Sequence, residues 1–92
     1  MGIYHDRIAA KLARGLAPRR VEIVDDSARH HGHAGAHADG GGETHFNVTV
    51  ESDAFTGKSR LERQRLVYAL LADELNERVH ALALKLVAPG ES

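Results

Sequence analysis

The sequence predicts an α/β (α+β) domain in which the helices pack on one face of a three-stranded mixed sheet. Three observations lead to this fold class. Apolar residues recur at helical spacing in residues 3–16 and 61–78, residues 44–51 alternate strictly between apolar and polar, and residues 79–87 are almost continuously apolar. A strand that follows a strand–helix unit usually returns parallel to the first strand through a right-handed crossover. The predicted order is therefore α-β-β-α-β.

Length and composition limit both the architecture and the function. The 92 residues predict a single domain over residues 1–92, and 42% hydrophobic and 27% charged residues are typical of a globular chain. A formal net charge of −1 argues against a dedicated nucleic-acid binder, which usually has a large basic excess. The absence of cysteine excludes disulfides, a thiol nucleophile and an iron–sulfur cluster held by the chain's own thiolates.

The first half of the chain predicts a helix and a hairpin. In residues 3–16, Ile8, Leu12 and Leu16 are spaced four apart and form one apolar stripe. Residues 20–25 predict a short strand. It should pair antiparallel with residues 44–51, whose apolar face is expected to carry Phe46, Val48 and Val50.

The second half predicts a turn, a long helix and a last strand. Phe55 is expected to anchor the turn at residues 52–58 in the core. Ser59 and Glu62 have the spacing of a capping box at the start of a helix. This helix is predicted to continue to residue 78 with one buried side, made of Leu66, Val67, Leu70, Leu71 and Leu75. The strand at residues 79–87 is strongly apolar, and such a strand at a sheet edge would favour self-association. The free protein is therefore expected to be a monomer or a weak homodimer.

Histidines are concentrated between the first two strands. Residues 27–43 contain His30, His31, His33 and His37 together with three consecutive glycines. Such a segment can bind metal specifically, bind Zn or Ni without specificity, or remain solvated. His45 could line the same site or pack structurally. From the pattern alone, His80 at the start of the last strand reads either as a metal ligand or as a core histidine bonded to a carbonyl.

Four blocks of the sequence resemble the BolA family. They are VEIVDDS, GETHF, FTGKSRLERQRLVYALLADEL and VHALALK, and together they extend the resemblance over nearly the whole chain. The resemblance implies a class II KH-like fold of order α-β-β-α(-α)-β. It also implies a short extra turn at residues 53–57.

The same resemblance implies a function in iron–sulfur chemistry. BolA-like proteins bind monothiol glutaredoxins and share a bridging 2Fe–2S cluster, for which the partner and glutathione give the thiolates. By this resemblance His80 is one ligand, and the second comes from the histidine-rich segment. His30 and His33 rank equally for this role, and His31 ranks below them. No cofactor is expected to be held by this chain alone.

The resemblance also implies an alternative, a DNA-binding transcriptional regulator. Four cations gather at the start of the long helix: Lys58, Arg60, Arg63 and Arg65. A helix N-terminus and these cations suit phosphate, the carboxylates of glutathione or an acidic patch on a partner; they also suit a merely solvated face. Gln64 stands where the family usually has histidine, and the stretch GKSR (57–60) lacks the second glycine of a KH RNA-binding loop.

Catalysis and membrane insertion are not expected. Ser59 serves as a helix cap, and no Ser/His/Asp triad, paired carboxylates or glycine-rich phosphate loop can be recognised. No stretch approaches the roughly 18 apolar residues of a membrane span. The first 18 residues are too charged for a signal peptide. A cytoplasmic, non-enzymatic protein is therefore expected.

Overall fold

The described part of the chain forms a three-stranded sheet whose helices lie on one face. A computed structural model describes residues 2–26 and 44–91. The elements are α1 (Ile3–Leu16), β1 (Arg20–Asp25), β2 (His45–Glu51), a 3-10 helix (Asp53–Phe55), α2 (Arg60–Leu70), α3 (Ala72–Glu77) and β3 (Ala81–Val87). This architecture confirms the predicted fold class, including the short extra turn before the second helix.

The sheet order is β1-β2-β3, so β2 is central. β1 pairs antiparallel with β2, placing Val21 opposite Val50 and Ile23 opposite Val48. β3 pairs parallel with β2, as the crossover rule predicts, with Leu82 beside Phe46. Within the described residues no strand lies beyond β3, which is therefore an edge of the sheet.

The core lies between this sheet and the helices. The alternation in β2 directs Phe46, Val48 and Val50 towards the helices, where all three are buried. Phe55 is fully buried, which confirms its predicted role as an anchor. The remaining buried apolar side chains come from α1, from α2 and its junction with α3, and from the residues flanking β3: Ile8, Leu12, Leu16, Val67, Leu71, Val79 and Ala88.

The continuous helix predicted for residues 61–78 is wrong in one respect, because it divides into α2 and α3. Leu71 lies between them with φ −105° and ψ 18° and is fully buried. The first turn of α3 carries Asp73 and Glu74, acidic side chains that favour a helix N-terminus. Glu74 continues the buried face of Val67 and Leu71 across this break and points towards α1.

The last strand is two residues shorter than predicted. The N–H of Val79 donates to the carbonyl of Glu74 at 2.9 Å and so closes the last turn of α3. The N–H groups of His80 and Ala81 both donate to the carbonyl of Thr44, at 2.8 and 3.2 Å. Regular pairing with β2 therefore begins only at Ala81.

A cluster of charged side chains joins α1 to α3. Glu74 is 1% exposed and accepts hydrogen bonds from Arg7 Nε at 2.8 Å and from Lys11 Nζ at 2.9 Å. Arg7 also donates to the exposed carboxylate of Glu77 at 2.7 Å, and the Tyr4 hydroxyl donates to the same group at 3.0 Å. We call these five residues the α1–α3 ionic cluster. Its buried carboxylate has two cationic donors, as a charge in a low-dielectric interior requires.

Candidate functional site

His80 lies exposed at the end of the sheet where β2 and β3 begin. Its backbone is fixed by the hydrogen bond to Thr44, and the neighbouring Val79 is buried. The imidazole itself projects from this fixed backbone into solvent. His80 is therefore not a core histidine, and it is accessible to a ligand or a partner.

The two residues that flank the histidine-rich segment, Asp26 and Thr44, lie at the same end of the sheet as His80. Asp26 precedes the segment, and its N–H donates to the carbonyl of His45 at 2.7 Å. Thr44 follows the segment and accepts from His80. We call this region, made of Asp26, Thr44, His45 and His80, the histidine end of the sheet. The candidate ligands from the segment lie outside the described residues: His30, His31, His33 and His37.

His45 is the second histidine at this end. It lies on β2 next to Ala81, is half-buried, and its Nδ1 is 3.0 Å from the Thr44 hydroxyl. Its place in the alternation puts it on the sheet face that the helices leave uncovered. Within residues 2–26 and 44–91, no three His, Cys, Asp or Glu side chains come together in a metal-binding group. The described part of the chain therefore offers an open, incomplete donor set.

The predicted basic residues divide into two groups. Lys58, Arg60 and Arg65 are exposed around the first turns of α2. The helix starts where the sequence predicts, since Ser59 Oγ accepts from the Glu62 N–H at 3.1 Å and Glu62 Oε1 accepts from the Ser59 N–H at 2.7 Å. Together with the positive end of the helix, these three cations form a surface that can attract anions.

Arg63 instead faces inward and joins three parts of the fold. Its Nε donates to the Lys58 carbonyl at 3.0 Å and its Nη1 to the Leu86 carbonyl at 3.0 Å. Both terminal nitrogens donate to the Glu91 carboxylate, at 2.6 and 2.9 Å. Its side chain is only 12% exposed. Most of its donors are therefore used inside the protein.

A groove lies between the start of α2 and the outer edge of β3. Its volume is about 420 Å³, and we call it the β3 edge groove. It is lined by Lys58, Arg60, Arg63, Gln64, Leu84, Lys85, Leu86, Val87 and Glu91. The sequence analysis missed Lys85 and Glu91 as neighbours of this surface, because nothing in the local pattern brings them next to α2.

Two carboxylates in these networks should make the fold sensitive to acid. Arg7 and Tyr4 lower the pKa of Glu77 to about 2. Arg63 and the Ala88 N–H lower the pKa of Glu91 to about 2. Since both values lie below the usual 4.5, the stabilisation is fully present above pH 4.5 and is lost as the pH falls towards 2.

We expect urea unfolding at a series of pH values to show this decrease in stability between pH 4.5 and 2. The double variant Glu77→Gln/Glu91→Gln should be less stable than the parent at pH 7 and should show a shallower decrease in acid. An equal decrease in both proteins would mean that other carboxylates control the acid response.

Residues 12–91 match the sequence profile of the family described as BolA-like protein. The chain belongs to the BolA family. It is 46% identical over 79 residues to the "DNA-binding transcriptional regulator BolA" of Escherichia coli, covering 86% of this chain and 70% of that protein. It is also 47% identical over 87 residues to "SufE-like protein 1, chloroplastic/mitochondrial" of Arabidopsis thaliana. That match covers 92% of this chain but only 24% of the Arabidopsis protein.

A solved structure agrees with the family assignment. The BolA domain of SufE1 from Arabidopsis thaliana superposes with a TM-score of 0.87 at 43% identity, covering 100% of this chain and 99% of that one. This BolA-family chain therefore corresponds to one domain of that longer relative. None of the described helices has the length and apolar character that crossing a membrane requires.

Proposed function

We propose that this BolA-family chain binds a monothiol glutaredoxin and shares a bridging 2Fe–2S cluster with it through histidine ligands, in cluster trafficking or iron sensing. The observation that carries the proposal is the exposed His80, held at the end of the sheet where both residues flanking a histidine-rich segment lie, in a chain without cysteine. His80 is the proposed first ligand. His30 or His33, and after them His31, are the candidates for the second.

The donor chemistry of the histidine end suits a shared cluster better than a metal held by this chain alone. Imidazole is a good ligand for iron. The described residues bring no third protein donor to His80 and His45, so thiolates of a partner and of glutathione would complete the coordination. When bound, a cluster with histidine ligands would supply redox chemistry at a higher potential than one held by thiolates alone. The proposed compartment is the cytoplasm, where free thiols persist.

Visible spectroscopy tests this proposal directly. The chain is added in increasing amounts to a cluster-loaded monothiol glutaredoxin, and visible absorption and circular dichroism are recorded. We expect both spectra to change and to saturate at a fixed ratio, because ligand exchange alters the cluster's charge-transfer bands. Spectra that stay the same at a large excess of the chain would refute cluster sharing.

DNA binding is the second candidate function. It is favoured by the name of the E. coli relative and by the exposure of Lys58, Arg60 and Arg65. If these three cations each neutralise one phosphate, log Kd should change with log salt by about 2.7 units per decade. A slope near zero would refute a backbone-binding surface.

Charge-neutralising variants show whether this surface is responsible. Replacing Lys58, Arg60 and Arg65 together by Gln should remove most of the salt dependence. Arg14→Gln removes an exposed cation from α1 and should leave it almost unchanged. Fluorescence anisotropy with a labelled DNA duplex at several salt concentrations measures the salt dependence of DNA binding for both variants. Equal loss in the triple variant and the α1 control would indicate a non-specific charge effect.

A further inference from the structure

The outer edge of β3 presents unpaired backbone groups. The Val87 carbonyl accepts from the Ser52 N–H and so faces the β2 side, whereas the Leu86 carbonyl faces outward to Arg63. Successive residues of a strand direct their backbone groups to opposite sides, so those of Leu82, Leu84 and Leu86 point outward. Within the described residues these groups have no strand partner, and the Leu86 carbonyl instead accepts from the Arg63 side chain. The edge can therefore accept a further strand.

The groove along this edge is positively charged. The charge of Arg63 is balanced by Glu91, to which it donates two hydrogen bonds. Lys58, Arg60 and Lys85 are exposed, and none of them forms an ion pair with a residue in the described part of the chain. Three exposed cations thus surround the edge of a strand that offers hydrogen bonds along its length, and the charge of Lys58 is partly balanced by the nearby Glu62 carboxylate.

We infer that the β3 edge groove binds an acidic, extended segment of another protein, which adds to the sheet as a fourth strand beside β3. Main-chain hydrogen bonds to an exposed edge provide affinity in this mode, and side-chain pockets provide specificity. Acidic side chains on the added strand would meet Lys85, whose pairing with Thr49 puts it on the uncovered face of the sheet. The aliphatic side chains that alternate with them would lie along Leu84 and Leu86 on the helix face, where Lys58 and Arg60 add positive charge to the groove.

The charges argue against a second copy of this chain as the occupant. An antiparallel pair of β3 strands would bring the cations of both grooves together, and such juxtaposition of like charge is unfavourable. Nucleic acid would use the cations but not the strand's hydrogen bonds. An acidic peptide strand satisfies both features.

The inference goes beyond the proposed cluster site and does not depend on it. β3 has seven residues and rises about 3.3 Å per residue, so the groove at its far end lies roughly 20 Å from His80. A bound segment would leave the histidine end of the sheet accessible.

A designed peptide tests the inference. An eight-residue peptide of alternating Glu and Val, blocked at both ends, is titrated into the isotopically labelled full chain and followed by NMR. We expect saturable shifts along β3 and slower hydrogen exchange at the amides of Leu84 and Leu86.

Peptides methylated at the backbone nitrogen of alternate residues separate strand pairing from charge attraction. One methylated set should abolish binding and the other should preserve it, because an added strand uses only one of its two edges.

Two charge-reversal variants complete the test. Lys85→Glu lies in the groove but outside the surface proposed for DNA, and it should weaken peptide binding roughly tenfold or more. Arg65→Glu makes the same charge change on α2 outside the groove and should alter binding less than roughly twofold. The amide spectrum of each variant verifies that it is folded.

Three results would overturn the inference. The first is equal binding of both methylated peptides, which would indicate charge attraction without strand pairing. The second is the absence of any shift at millimolar peptide. The third is protection of the Leu84 and Leu86 amides without peptide in a chain that sediments as a dimer, which would make a second copy the occupant.

Discussion

Replacing His80 by alanine is expected to abolish the spectral change that the chain produces on a cluster-loaded glutaredoxin. The substitution removes an exposed imidazole and leaves the backbone hydrogen bond to Thr44 in place. The thermal midpoint should therefore stay close to that of the parent, since surface substitutions usually change stability by less than about 0.5 kcal/mol. Loss of the spectral change in a fully folded variant would assign the effect to the side chain.

Other histidines serve as controls for this variant. His5 lies on α1, outside the histidine end of the sheet, and His5→Ala should preserve the spectral change. His45→Ala tests whether His45 is a ligand of the cluster or only lies near it. Loss of a ligand changes the positions of the cluster's visible bands, whereas loss of a nearby side chain should change only the affinity for the glutaredoxin. A folded His80→Ala variant with the parent spectrum would contradict the ligand assignment.

Single alanine variants of His30, His31 and His33 address the second ligand. We expect one of them to reproduce the loss seen with His80→Ala, and the other two to retain the parent spectrum. Circular dichroism in the visible range provides the measurement, because it responds to the ligand set around the iron. Retention of the full change in all three variants would exclude this group as the source of the second ligand.

Glu74→Gln is expected to destabilise the fold strongly although it changes a single side-chain atom. The carboxylate is 1% exposed and accepts from both Arg7 and Lys11, which tie α1 to α3. The amide keeps the shape but removes the negative charge and one acceptor, leaving two cations that are incompletely compensated. Breaking a fully buried ion pair costs about 3–5 kcal/mol. Since Arg7 and Lys11 are partly exposed, we expect roughly 2–4 kcal/mol here. In a domain of this size the thermal midpoint should fall by roughly 10–20 °C.

The matched control is Glu77→Gln in the same ionic cluster. Glu77 also binds Arg7, but its side chain is 47% exposed, so water can replace the lost interactions. At pH 7 its effect should be clearly smaller than that of Glu74→Gln. Thermal and urea unfolding, monitored by the helix signal in far-UV circular dichroism, compare the stabilities of the two variants. Equal destabilisation would show that burial of Glu74 does not control the strength of the contact.

Local sequence signals predicted most of the fold. Helix α1 and strand β1 have the predicted bounds, and the buried face of β2 carries the three predicted residues. The capping box at Ser59 and Glu62 forms as expected. These features depend on contacts between residues two to four positions apart, and for this reason periodicity and spacing reveal them.

The errors occur where distant residues compete with local preference. A continuous helix over residues 61–78 satisfies the local pattern, but the structure breaks it at Leu71, and Glu74 beyond the break forms ion pairs with Arg7 and Lys11 of α1. Similarly, the sequence predicts Arg63 as one of four surface cations, but its partners are the Leu86 carbonyl and the carboxylate of Glu91, 28 residues away. Pattern analysis has no access to such partners.

By itself the sequence determined the element order, the core face of each element and the chemical character of the histidine-rich segment, because residue type and spacing encode them. The tertiary structure alone decided that His80 is exposed at the sheet end where both flanks of that segment lie, that Arg63 is used internally, and that Lys85 lies at the same free strand edge as Lys58 and Arg60. Exposure and proximity depend on how the helices pack across the sheet, and packing brings together residues whose separation along the chain carries no information about their distance in space.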